Sequence, residues 1–129
     1  MKTTQKVNVF VYGTLQSGER NHRVIHGHIL DTVSGKVSGK LYDVGSYPAA
    51  VLGSEGVIEG EWLLIDEAGL VGTDRLEGYT GPDDRNYYDR VWVTDLNGGT
   101  EGWIYVWSDS KNLPEIRNGS WKNRNAAAS

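Results

Sequence analysis

The sequence predicts an α+β fold: a small, mostly antiparallel β-barrel or strongly curled sheet with a few short helices. Three observations point there. Glycine supplies 17 of 129 residues, well above the usual ~7%, which calls for many turns. Five Trp and seven Tyr stand against one Phe and one Met, the residue choice of an aromatic-packed β protein. Between the glycines, β-branched and aromatic residues form short runs, several of them alternating with polar ones.

The first run is Lys6 to Tyr12, where Val7, Val9 and Val11 alternate with Asn8, Phe10 and Tyr12 until Gly13 stops the strand. Residues Gly18 to Gly27 read as a short helix, followed by an extended stretch from His28 to Val33. Ser34-Gly35 and Ser38-Gly39 punctuate the chain, leaving Lys40 to Val44 and Tyr47 to Leu52 as short strands around a turn. Val57 to Ile65 is a stronger strand in which Gly60 marks a bulge. Asp66 is placed to cap a helix running through Leu70 and Leu76, with Gly78 just past its last turn. Tyr87 to Leu96 and Thr100 to Trp107 flank Asn97-Gly98-Gly99, and Asn-Gly is the strongest short hairpin signal. This makes about six strands in one domain over residues 1–117. Residues 118–129 read as a flexible C-terminal tail, in which Trp121 marks a contact surface or folds back on the body.

Composition excludes several kinds of function. Lys plus Arg number 13 and Asp plus Glu 17, a formal charge of −4. A phosphate-binding surface needs the opposite balance, so nucleic acid is not an expected partner. The absence of cysteine removes disulfides, thiolate zinc sites and a thiol nucleophile together. No run approaches the ~20 apolar residues of a membrane span, and the start lacks the apolar stretch of a signal peptide, so the expected location is cytoplasmic with no membrane partner. Asn118-Gly119-Ser120 fits the glycosylation pattern, which means little without export.

Two segments carry candidate chemistry. In Tyr12-Gly13-Thr14-Leu15 a glycine directly after a core strand lets backbone N–H groups face a small concave site suited to a carboxylate or an oxyanion, although an ordinary strand-ending turn has the same residues. In Asp74-Arg75-Leu76-Glu77-Gly78-Tyr79, Glu77 falls in the last helical turn, at the negative end of the helix dipole, and Asp74 lies three residues earlier on the same face. Both effects push the Glu77 pKa upward, the profile of a general acid/base, with Arg75 opposing them; a solvated surface Glu is the alternative.

Other candidates are weaker. His22 and His26 are spaced to share a helix face, and His28 follows, but no cysteine or well-spaced carboxylate completes a ligand set. Hydrogen-bonded or exposed histidines fit better than a metal site. The loop Gly81-Pro82-Asp83-Asp84-Arg85-Asn86 lacks the ligand spacing of an EF-hand and reads as a solvated turn or a mobile lip. No phosphate loop, serine nucleophile elbow or dinucleotide fingerprint is present, and no metal or cofactor is expected.

Taken together, the segments resemble the gamma-glutamylcyclotransferase-like superfamily, and most closely its small members of the gamma-glutamylamine cyclotransferase type. The matching pieces are Val11-Tyr12-Gly13-Thr14-Leu15 with Gly18 and Asn21, Tyr47-Pro48-Ala49, Gly60-Glu61, Asp74 to Tyr79, Tyr88-Asp89-Arg90, and Trp103-Ile104-Tyr105-Val106. They run in order across most of the chain. The resemblance implies a compact barrel with a pocket at one end and a small-molecule substrate bearing a gamma-glutamyl group. It implies backbone donors from Tyr12, Gly13, Thr14 and Leu15, further substrate contacts from Tyr47, Tyr79, Tyr88 and Arg90, and Glu77 as the acid/base. The implied reaction is an internal aminolysis that releases 5-oxoproline and an amine. It requires no metal and no nucleophile from the protein. A non-catalytic pocket protein holding a small metabolite or nucleotide-like ligand is the competing expectation.

Overall fold

The computed structural model describes residues 6–82 and 84–124. Strand β1 (Lys6–Val11) lies in the middle of the sheet, antiparallel to β3 (Pro48–Asp66) and parallel to β5 (Glu101–Val106). Its neighbours explain why both of its faces are apolar. Phe10 points into an inner core with Ile58, Trp62 and Ile104, whereas Val9 and Val11 point into an outer core with Leu63, Ile65 and Ile25.

The strand β2 (Ile29–Asp43) pairs with β3 along nearly its whole length, from Ile29↔Ile65 to Asp43↔Pro48. Sequence punctuation divides this arm into shorter strands, but most of its glycines are sites of close packing rather than breaks. A Cβ on Gly60 would lie 2.3 Å from the Val11 carbonyl, and one on Gly35 would lie 2.4 Å from the Trp62 ring. Gly60 therefore pairs regularly with Gly35, and the expected bulge there is absent. The register instead shifts between Ile29 and Asp31 and between Ser38 and Gly39, where residues 53–56 loop out of the ladder. The expected helix over Gly18 to Gly27 is reduced to two single 3-10 turns, His22–Val24 and His26–His28.

Helix α1 (Glu67–Glu77) has the expected ends: the Asp66 carboxylate accepts from the Gly69 N–H at 2.8 Å, and Gly78 takes the left-handed conformation at φ 69°. The hairpin of β4 (Asp89–Thr94) and β5 closes through the Asn97-Gly98-Gly99 turn.

The sheet order is β4-β5-β1-β3-β2-β6, with β6 (Glu115–Ile116) at one edge. The sheet is strongly curled and does not close into a barrel. At the tip of the β4–β5 hairpin the Leu96 N–H donates to the Lys36 carbonyl at 2.9 Å, and Asp95 accepts from the Lys36 N–H and the Trp62 indole, each at 2.8 Å. These bonds draw the curl together at one point without extending the ladder.

The C-terminal residues depart from the expected tail. The Gly119 carbonyl accepts from the Glu59 N–H at 2.8 Å, and Trp121 is 2% exposed within the inner core. Trp121 thus folds back onto the body and packs in the inner core. Residues 125–129 of that expectation, and Asp83 of the charged loop, lie outside the described residues. No helix among the described residues is long and apolar enough to cross a membrane.

Candidate active site

Where β1 ends, the chain turns through Tyr12-Gly13-Thr14-Leu15 along the wall of a cleft of about 270 Å³. Gly13 is required here by close approach: a Cβ would meet the Pro48 ring at 2.8 Å. The Asn21 N–H donates to the Thr14 carbonyl at 2.9 Å, and the Asn21 amide donates to the Thr14 hydroxyl at 2.8 Å, which fixes the turn. The N–H groups of Gly13, Thr14 and Leu15 enter no turn or capping hydrogen bond among the described residues. All three residues line the cleft.

Glu77, the last residue of α1, lines the same cleft. Burial raises its carboxyl from the ordinary value of 4.5 to about 7. The direction agrees with the sequence reading, but the cause differs. Asp74 does not repel it appreciably, because Asp74 is paired with Arg90 at 2.6 Å and accepts a hydrogen bond from the Tyr105 hydroxyl at 2.6 Å.

Tyrosines surround Glu77. The Tyr12 hydroxyl is buried, donates to the Tyr105 carbonyl and accepts from the Ala50 N–H at 3.3 Å. Tyr88 donates to the Pro48 carbonyl at 2.8 Å, and the Tyr47 and Tyr87 hydroxyls touch. Burial chiefly raises the pKa values of Tyr12, Tyr88 and Tyr105 well above the usual phenol range; the Glu77 charge adds to it at Tyr12, the Tyr12 and Glu77 charges at Tyr88, and the hydrogen bond to Asp74 at Tyr105. Burial, the hydroxyl contact to Tyr47 and the Glu77 charge push Tyr87 up to about 12. At neutral pH all four therefore keep their protons.

Of the residues singled out in the sequence, the cleft gathers Tyr12, Gly13, Thr14, Leu15, Tyr47, Glu77 and Tyr88. Tyr79 and Arg90 are not among its lining residues. Arg90 lies behind the wall, its guanidinium 4.7 Å from the centre of the Tyr79 ring and 4.4 Å from that of Trp103. Sequence reasoning missed Arg20, Leu76, Tyr87 and Tyr105 as lining residues. Tyr105 is a buried residue of β5, where its pattern marks it for the core rather than for a cleft; Tyr87 falls in the segment expected as a strand, but β4 begins only at Asp89. The histidines have local tasks. His22 Nδ1 lies 2.9 Å from the Leu15 carbonyl and His28 Nδ1 lies 3.0 Å from Asp66. No cluster of three or more metal-ligating side chains occurs among the described residues.

The cleft therefore pairs a carboxylate able to gain or lose a proton near neutrality with free backbone donors. Among the described lining residues Thr14 carries the only aliphatic hydroxyl, and Asn21 already engages it. A substrate supplying its own nucleophile suits such a site.

The chain is also similar to known proteins. The family model described as gamma-glutamyl cyclotransferase, AIG2-like, matches residues 9–123. Gamma-L-glutamyl-butirosin B gamma-glutamyl cyclotransferase of Niallia circulans is 40% identical over 119 residues, covering 89% of this chain and 75% of the relative. The gamma-glutamylcyclotransferase family protein YtfP of Escherichia coli K12 is 32% identical over 120 residues, covering 92% of this chain and 98% of that protein. Among solved structures, an AIG2-like protein from Mus musculus matches with a TM-score of 0.67 at 27% identity, over 90% of this chain and 88% of that one.

Proposed function

Since the chain belongs to the gamma-glutamyl cyclotransferase, AIG2-like family, an enzyme family, we propose that it converts a gamma-glutamyl amide into 5-oxoproline and a free amine, with Glu77 as the proton carrier. The observation that carries this reading is the pairing, within one cleft, of a carboxyl group raised to about 7 with the unengaged N–H groups of Gly13, Thr14 and Leu15.

The chemistry is an intramolecular aminolysis. Ionised Glu77 takes a proton from the substrate's alpha-ammonium, and the freed amine attacks the gamma-carbonyl carbon of the same molecule. The ring C–N bond forms as the carbonyl π pair moves to oxygen, where the backbone N–H groups meet the developing charge. When that pair returns, the bond to the leaving nitrogen breaks and Glu77 delivers its proton there. The second proton of the former ammonium follows, so the released amine departs as an ammonium ion. Tethering of nucleophile and electrophile supplies the high effective molarity that makes an enzyme nucleophile unnecessary.

A pocket that only bound an anionic gamma-glutamyl compound would gain nothing from a carboxylate that repels it when ionised. The binding-protein reading is therefore not favoured. The test is incubation with a set of gamma-glutamyl compounds followed by mass spectrometry. Appearance of 5-oxoproline with one or more of them supports the reading, and binding without any 5-oxoproline would replace it with a pocket protein. The compounds consumed would identify the leaving amine.

A further inference from the structure

We propose that Asp74 and Arg90 form a positioning clamp that fixes the last turn of α1, and with it Glu77, in the cleft. The inference rests on the reading of Glu77 as the proton carrier and assigns to Arg90 a place behind the wall rather than against substrate.

Helix α1 has little apolar anchorage. Gly69 and Thr73 are buried and Leu70 packs against the outer core, while Val71 and Leu76 are 57% and 40% exposed. Apolar contacts from the second half of the helix therefore do little to set the position of its C-terminal turn, which Glu77 occupies. Polar contacts do so instead, one helical turn before Glu77. Asp74 Oδ2 accepts from Arg90 Nη1 on β4 at 2.6 Å, and Asp74 Oδ1 accepts from the Tyr105 hydroxyl on β5 at 2.6 Å. The Thr73 hydroxyl lies 2.7 Å from the same Tyr105 hydroxyl. Two adjacent residues of one helical turn are thus tied to two adjacent strands.

Arg90 is itself immobilised. Tyr79 and Trp103 lie against its guanidinium, and its side chain is 16% exposed. Its Nε is buried without a partner among the described residues. A largely desolvated ion pair with one donor left unsatisfied contributes little net stability, and geometric definition is its better-attested use. Here the geometry defined is that of Glu77.

Several groups face or border Glu77: Tyr12 at the end of β1, Tyr87 and Tyr88 before β4, Tyr105 on β5, Arg20 across the cleft, and Asp74 and exposed Arg75 on its own helix. Of the charged groups, Asp74 and Arg90 have opposite signs, which separates positioning from a direct field effect. A field effect lowers the Glu77 pKa when the Asp74 charge is removed and raises it when the Arg90 charge is removed. Loss of a clamp admits water to Glu77 in both cases, so both substitutions lower it.

The experiment is carbon-13 NMR titration of the Glu77 carboxyl in wild type, Asp74→Asn and Arg90→Gln, with kcat and KM measured alongside. Both variants are expected to titrate below the wild-type value of about 7 and to lose on the order of 10²-fold in kcat, with KM little changed. In a Glu77→Gln background Arg90→Gln should cost no further activity, because the group it positions has gone. An unchanged or raised Glu77 titration in Arg90→Gln, or an unchanged kcat, overturns the clamp. Should Arg90→Gln fail to fold, Arg90→Lys keeps the charge but loses the planar fork, and the same downward shift is required of it. If wild type makes no 5-oxoproline, the cyclotransferase reading fails, while the titration still decides whether the clamp holds Glu77.

Discussion

At the scale of the residue, the role proposed for Glu77 carries a cost to the fold. Glu77→Gln should leave the fold intact and reduce turnover roughly 10²–10⁴-fold, the usual worth of a positioned acid/base. A near-normal kcat would remove Glu77 from the mechanism. The wild-type rate should rise with pH as Glu77 ionises, with its inflection at about 7. Stability should run the other way. The folded pKa of about 7 exceeds the ordinary 4.5, so the favourable contribution of the protonated group is complete below the unfolded value and is lost as pH rises through the folded one. The full loss is on the order of 3 kcal/mol. Glu77→Gln should therefore melt above wild type at a pH of about 8 and close to it at about 4; scanning calorimetry at the two values checks this, and a lower melting point for the variant at the higher pH would contradict it. The sequence showed that Glu77 was unusually placed, but not why. Its raised pKa comes from burial beneath Tyr12, Tyr88 and Tyr105, which long-range folding brings together, and the Asp74 charge that the helix pattern sets against it is neutralised by a residue 16 positions away.

At the scale of the element, local signals were legible and non-local ones were not. The alternation in β1, the Asp66 and Gly78 caps of α1 and the Asn97-Gly98 turn are each encoded within a few residues, and each appears in the structure. The β2–β3 arm was misread because Gly35 and Gly60 resemble breaks, whereas the packing of Trp62 and Val11 against them makes them necessary inside strands. Gly13 belongs to the same class. Gly13→Val should push Pro48 aside and separate the two walls of the cleft, raising KM in a protein that remains folded by circular dichroism. Unchanged KM and kcat would reduce that segment to an ordinary turn. Trp121 went unplaced because its polar, glycine-flanked surroundings carry no periodicity, yet it fills the inner core beside Phe10 and Ile58. Trp121→Ala should cost about 3–5 kcal/mol in urea unfolding, as for other buried large-to-small changes. A loss below about 1 kcal/mol would place the tryptophan on the surface.

At the scale of the whole molecule, the curl of the sheet makes the site. It brings the end of β1, the start of β3, the last turn of α1 and the strand β5 around one cleft, although these segments are far apart in sequence. In the proposed reaction the nucleophile is part of the substrate and the proton carrier is a carboxylate, so activity should survive exhaustive chelation; restoration of a chelated, inactive sample by zinc or manganese would give His22, His26 and His28 a larger role. The central claim, that the substrate's own amine closes the ring, is tested most directly by comparing a gamma-glutamyl substrate with its N-acetyl derivative. Acetylation removes the nucleophile and leaves the amide bond in place for water to attack. The account predicts 5-oxoproline from the free amine and no turnover of the acetylated compound. Equal cleavage of both, or direct formation of glutamate in place of 5-oxoproline, would contradict it.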